Sequence, residues 1–129
     1  MGLKNPKILE RLFIAALFCD IGELIPNPEN KTHQQLSIDF MEAFGHISDD
    51  IKQAMLHHHE NNDGTGPFKI FKHKIHPYAR IIRVVDELLH LITIKDKDFL
   101  IELKKQSVQK LDSTIVSILL KLLKPNEKK

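Results

Sequence analysis

The run HHHENNDGTGP at residues 57–67 concentrates the reactive chemistry of this chain. Neutral imidazoles are the commonest protein ligands for divalent transition metals. Adjacent ones on a helix diverge by about 100°, so His58 and His59 can serve two ions or two sides of one pocket. The plainer reading is a set of surface imidazoles at a helix end, where a cationic ring sits well against the dipole. Beyond them, Asp63-Gly64 and Gly66-Pro67 mark a glycine-rich loop whose backbone can approach a ligand closely and offer N–H groups to an anion. Lys69, Lys72, His73 and Lys74 add positive charge that a phosphate favours.

Outside that run, Asp20, His33 and Asp86 carry the same chemistry. Asp20 lies in CDIGE, at the end of a nearly apolar segment, where an isolated carboxylate is too costly to bury unless it is paired, neutralised or coordinated. Capping a neighbouring helix or pairing with a lysine is the alternative for it. His33 falls in the first turn of a helix, a poor place for a cation and a better one for a neutral, ligating ring. Asp86 stands four residues before His90, which is ligand spacing as well as ordinary salt-bridge spacing.

The elements that must position these residues all read as helices. Asn5-Pro6 caps and starts a first helix whose Ile8, Leu9, Leu12, Phe13, Ala16 and Leu17 recur at helical spacing, and its apolar end predicts a central place in the core. Pro26 and Pro28 mark a loop. Thr32 with Gln35 reads as a capping box for a second helix that stops at Gly45. Ser48 caps a third helix with Ile51, Ala54 and Met55 on its apolar face, leading to His58. A fourth begins near His76-Pro77 with Ala79, Ile82, Val85, Leu88, Leu89 and Ile92 as a broad apolar face. Weaker helices follow at about 98–105 and 113–124, the last capped by Asp112 with Ile115, Ile118, Leu119 and Leu122 turned inward. Phe68, Ile70 and Phe71 are read as anchors of the long loop, with stacking on a guanine as the alternative.

The sequence has 129 residues, 42% of them hydrophobic, enough for one all-α domain over 1–129 with its core at about 6–124 and a polar tail at 125–129. A net charge of +2, with lysines spread along the chain, gives no footprint for nucleic acid. One cysteine, Cys19, excludes an internal disulfide, and no secretory leader is visible, which fits a reducing cytoplasmic setting. The apolar run at 12–21 is half the length of a membrane span and carries Asp20.

Taken together, CDIGE, KTHQQ, HHHENNDGTGP, HPYARIIRVVDELLHLIT and SVQKLDSTIVSILLKLL resemble, in order and spacing, the HD-GYP branch of the HD-domain metal-dependent phosphohydrolases. The resemblance covers residues of about 8 to 124, and HHE-x-x-DG-x-G is its most specific motif. It implies a compact helical bundle of about six helices. It also implies one or two iron, manganese or zinc ions and hydrolysis of cyclic di-GMP or a related phosphodiester. By the same likeness the ligand positions are Cys19, Asp20, His33, His58, His59 and Asp86, with Asp20 also catalytic. Asp63, Gly64, Gly66 and Arg80 would contact substrate.

The departures fall on chemical positions. Cys19 stands where the family has the histidine of the HD pair, although a thiolate can still ligate iron or zinc. Glu23 replaces a lysine, and the GYP tyrosine is missing between Gly66 and Pro67. The loop between Asp20 and His33 is shorter than the family's, and residues 1–18 leave no room for its upstream histidine and helices. If the lysine meets a substrate phosphate, Glu23 turns attraction into repulsion, on the order of a few kcal/mol at about 4 Å and an effective dielectric near 20, or roughly two to three decades of rate. The expectation is a degenerate, truncated HD-GYP-like domain that acts in signalling, regulation or partner binding, as a homodimer or on another protein, with or without a metal. An active phosphodiesterase is the alternative.

Overall fold

A computed structural model describes residues 4–95 and 97–124; the tail expected at 125–129 lies outside them. Six α-helices follow in order: α1 (Pro6–Phe18), α2 (His33–Glu42), α3 (Asp49–His57), α4 (Pro77–Thr93), α5 (Phe99–Gln106) and α6 (Ser113–Leu123). Short 3-10 turns occur at Ile21–Leu24 and Lys72–Lys74, and no strand forms among the described residues. The all-α expectation is met.

Local capping chemistry explains most of the helix starts. Asn5 Oδ1 accepts the Lys7 N–H ahead of Pro6, and Ser48 Oγ accepts the Ile51 N–H ahead of the acidic first turn of α3. His76 caps α4 with Nδ1, which accepts from the Tyr78 N–H, while its Nε2 lies 3.0 Å from Asp50 of α3. Asp112 Oδ1 accepts the N–H groups of Thr114 and Ile115 at the head of α6. The capping box expected at α2 is half formed. Thr32 Oγ1 accepts the Gln35 N–H, but the Gln35 amide donates onward to Asp39 instead of reaching back.

The core has two parts. One gathers Ala15, Cys19, Ile38, Ile51, Ala54, Met55, Tyr78 and Ile82 from α1 to α4, and the other gathers Val84, Leu88, Leu91, Leu103, Leu111, Ile115 and Val116 from α4 to α6. Helix α4 therefore runs between them, with Ile82 and Val84 fully committed to opposite parts. Two expectations about apolar faces need correction. Helix α1 is not central: only Ala15 is buried, while Leu9, Phe13 and Leu17 are exposed. On α4 and α6, Val85, Leu89, Ile92, Ile118 and Leu122 are exposed as well, because the buried stripes run through Val84 and Leu91 and through Val116. An all-apolar stretch cannot say which side meets a neighbour when no polar residue marks the outer face.

Candidate metal centre

The centre is built where the turn after α1, the head of α2 and the end of α3 meet. After Phe18 the chain leaves the helix, and Gly22 seats the 3-10 turn on α2. A Cβ there would stand 2.1 Å from the His33 carbonyl oxygen, so only glycine permits the approach. Fully buried Ser37 fastens the junction. Its hydroxyl accepts the Gly22 N–H at 2.8 Å and lies within donating reach of the carbonyls of His33 and Cys19, at 2.8 and 3.0 Å. This contact brings Asp20 and His33, thirteen residues apart in the chain, onto one site. Sequence reasoning missed Ser37; a small hydroxyl one helical turn after His33 was its only local signal.

Four side chains converge there. Asp20, His33, His58 and His59 each bring one ligand atom, and these atoms lie within 4.8 Å of one another. Asp20 Oδ1 is 3.3 Å from His33 Nε2, 3.0 Å from His58 Nε2 and 3.8 Å from His59 Nε2. The Nε2 atoms of His33 and His59 are 3.2 Å apart. A tetrahedral set of ligands about 2.1 Å from a metal has edges of about 3.4 Å, so the spacing is that of a coordination shell.

The tautomers make the case chemically. His58 is completely buried and its Nδ1 lies 2.7 Å from the Met55 carbonyl, which cannot donate, so the ring hydrogen is on Nδ1. In the neutral ring Nε2 then turns a lone pair on the Asp20 carboxylate, and two acceptors at 3.0 Å need a proton or a metal ion between them. His59 is held below the usual histidine range, first by burial and then by its neighbour His58, a shift that favours the neutral ring a metal needs. The donor set, three imidazoles and a half-exposed carboxylate, fits a divalent transition ion.

The other residues expected at the site fall in different places. Asp86 of α4 stands beside the group, with Oδ2 3.9 Å from His59 Nδ1, too far for a hydrogen bond. Cys19 lies outside the group of four. Its thiol donates to the Ala16 carbonyl at 3.4 Å and packs in the core, and burial, with the charges of Asp20 and Asp86, pushes its pKa up to about 12. Glu23 is exposed on the 3-10 turn. Arg80 turns away to a buried ion pair with Asp112 at 2.8 Å.

The glycine-rich loop is folded around its own carboxylates. Glu60, adjacent to the clustered histidines, is 2% exposed, and its oxygens accept the N–H groups of Phe68 and Ile70. Gly66 lies so close that a Cβ would be 2.7 Å from Glu60 Cα. Asp63 accepts from the hydroxyl and N–H of Thr65, bonds that hold its carboxyl below the usual range, and the Phe71 ring covers Gly64. The anion cradle expected from Asp63, Gly64 and Gly66 has therefore given several of its donors to internal carboxylates.

A polar depression of about 520 Å³ opens beside His59 and Asp86, with Arg83, Glu87 and His90 in its walls. Arg83 donates to Glu87 at 2.9 Å and to Asn61 at 3.2 Å, so its charge is largely matched. Burial raises the Glu87 pKa, but hydrogen bonds from Arg83 and Gln106 outweigh it and the net shift is downward. Arg83 was not singled out from sequence, although it stands one turn before Asp86.

Among known families, the model of the HD domain aligns with residues 2–115, from before α1 into α6. The chain belongs to the HD domain family. No curated protein matches it. Asp20, one of the four converging donors, directly follows the buried Cys19. No helix among the described residues is long and apolar enough to cross a membrane.

Proposed function

We propose that this HD domain is of the HD-GYP type and retains a metal-holding centre. It acts as a cytoplasmic signalling, regulatory or partner-binding module in which hydrolysis of cyclic di-GMP is weak or lost. The observation that carries the reading is the convergence of Asp20, His33, His58 and His59 from three separate segments within 4.8 Å. Iron, manganese or zinc, as one ion or two, suits that donor set, and Asp86 is the carboxylate nearest for a second ion. A bound ion supplies Lewis acidity toward a phosphoryl oxygen.

The chain's own residues argue for weak turnover. Arg80 and Arg83 are committed elsewhere, to Asp112 and to Glu87, and Glu23 is exposed on the 3-10 turn. The loop N–H groups of Phe68, Ile70 and Thr65 already have carboxylate acceptors. An active phosphodiesterase is the second reading, favoured by the intact four-donor cluster. Assay of the protein loaded with iron(II), manganese or zinc against cyclic di-GMP and bis(p-nitrophenyl) phosphate separates the two. Metal-bound protein without measurable hydrolysis supports the binding module, and turnover lost on His59→Ala establishes the phosphodiesterase.

A further inference from the structure

Between α1 and α4 runs a groove of about 640 Å³ whose walls include Leu9, Phe13 and Ala16 of α1 and Ile81, Val85 and Leu89 of α4. Its volume is that of a small-molecule site. At one side the walls include Asp20 and Asp86, so the groove opens on the metal centre itself. Its remaining side chains, Leu12, Cys19 and Ile82, are also apolar, and none of the lining residues is cationic.

That distribution selects a ligand chemistry. Laid in this groove, a dinucleotide would place a second phosphate and two sugars against hydrocarbon and two carboxylates, with no cation of the wall to pair them. A molecule with one phosphate and one long apolar group meets both parts once an ion is held by Asp20, His33, His58 and His59, the phosphate at that ion and the hydrocarbon along Phe13 and Leu89. Those two side chains are 65% and 56% exposed, and covering them releases water from a continuous apolar surface. We infer that the ligand of this centre is an amphiphilic phosphoester whose apolar group lies in the α1–α4 groove. This rests on the metal-holding reading of Asp20, His33, His58 and His59.

The test is binding of an n-alkyl phosphate series, butyl to decyl, to the full chain loaded with manganese, by calorimetry below the micelle concentration, with metal content measured on the same samples. Affinity should rise about two- to fourfold per methylene, and inorganic phosphate should bind more weakly than any member. Phe13→Gln and Leu89→Gln, both at exposed positions, should flatten the series at unchanged metal content. A flat series on metal-loaded protein overturns the inference and leaves the metal reading standing; absence of metal sinks both. Equal binding of decanol and decyl phosphate also overturns it, because the head group is then not at the centre. So does a dimer that excludes the probes and is dispersed by Phe13→Gln, which would make the groove an interface between copies.

Discussion

His58 and Glu60 are two residues apart and both almost fully buried, yet their surroundings are opposite. The Glu60 carboxylate meets two backbone donors, and around the same loop Asp63 meets Thr65 and Asp112 meets Arg80 and the head of α6. His58 Nε2 lies 3.0 Å from a carboxylate oxygen, and nearby two more imidazoles point their nitrogens at the same space. One region is closed by its own hydrogen bonds. The other closes only when a proton or a cation joins its acceptors, and that difference separates a structural polar cluster from a binding one.

Substitutions at the joints of the two regions should tell them apart. The largest effect is expected from Gly22→Ala, whose Cβ would overlap the His33 carbonyl oxygen. It should cost more than about 3 kcal/mol and separate Asp20 from His33, read as a lower chemical-denaturation midpoint together with lost metal. Glu60→Ala should cost about 2–4 kcal/mol by leaving the N–H groups of Phe68 and Ile70 unpaired. If its polar network is purely structural, metal stoichiometry should survive in whatever fraction remains folded. A centre emptied in stably folded Glu60→Ala would erase the contrast.

The histidines should also show in the pH dependence of the metal-free protein. His57 is held below the usual histidine range by burial, and His59 by burial and then by His58. The folded state thus binds fewer protons than the unfolded chain over that window. Stability is complete above about pH 6.5 and is lost as pH falls from there through the lowered folded values. Thermal melts should move down between pH 8 and 5.5, and a melt that rises on acidification would contradict the assignment. Cys19→Ala is the mildest change. It should cost about 1 kcal/mol of packing and leave the metal content unaltered, since the thiol donates to Ala16 and stays protonated; loss of metal would return Cys19 to the ligand set.

The helix starts at Asn5-Pro6, Thr32, Ser48, His76-Pro77 and Asp112 were legible because a capping side chain and the backbone N–H it accepts from lie within three residues of each other. Asp20, His33, His58 and His59 were legible through the ordered motifs, with the likeness supplying what no single stretch carries. Glu60, Ser37 and Arg80 were not, because their partners are 8 to 32 residues away and local pattern is silent about them. The outer faces of α1 and α4 were misread for a related reason. Leu9, Phe13, Val85 and Leu89 are as apolar as any core residue, and what exposes them is the direction from which α3 and the second core half approach.

Elemental analysis of untagged protein purified without air tests the centre most directly. The account predicts at least about one equivalent of iron, manganese or zinc per chain, reduced at least tenfold in both His58→Ala and Asp20→Ala variants that remain helical by circular dichroism. A folded wild-type protein that is free of metal, and still empty after incubation with those ions, would contradict it.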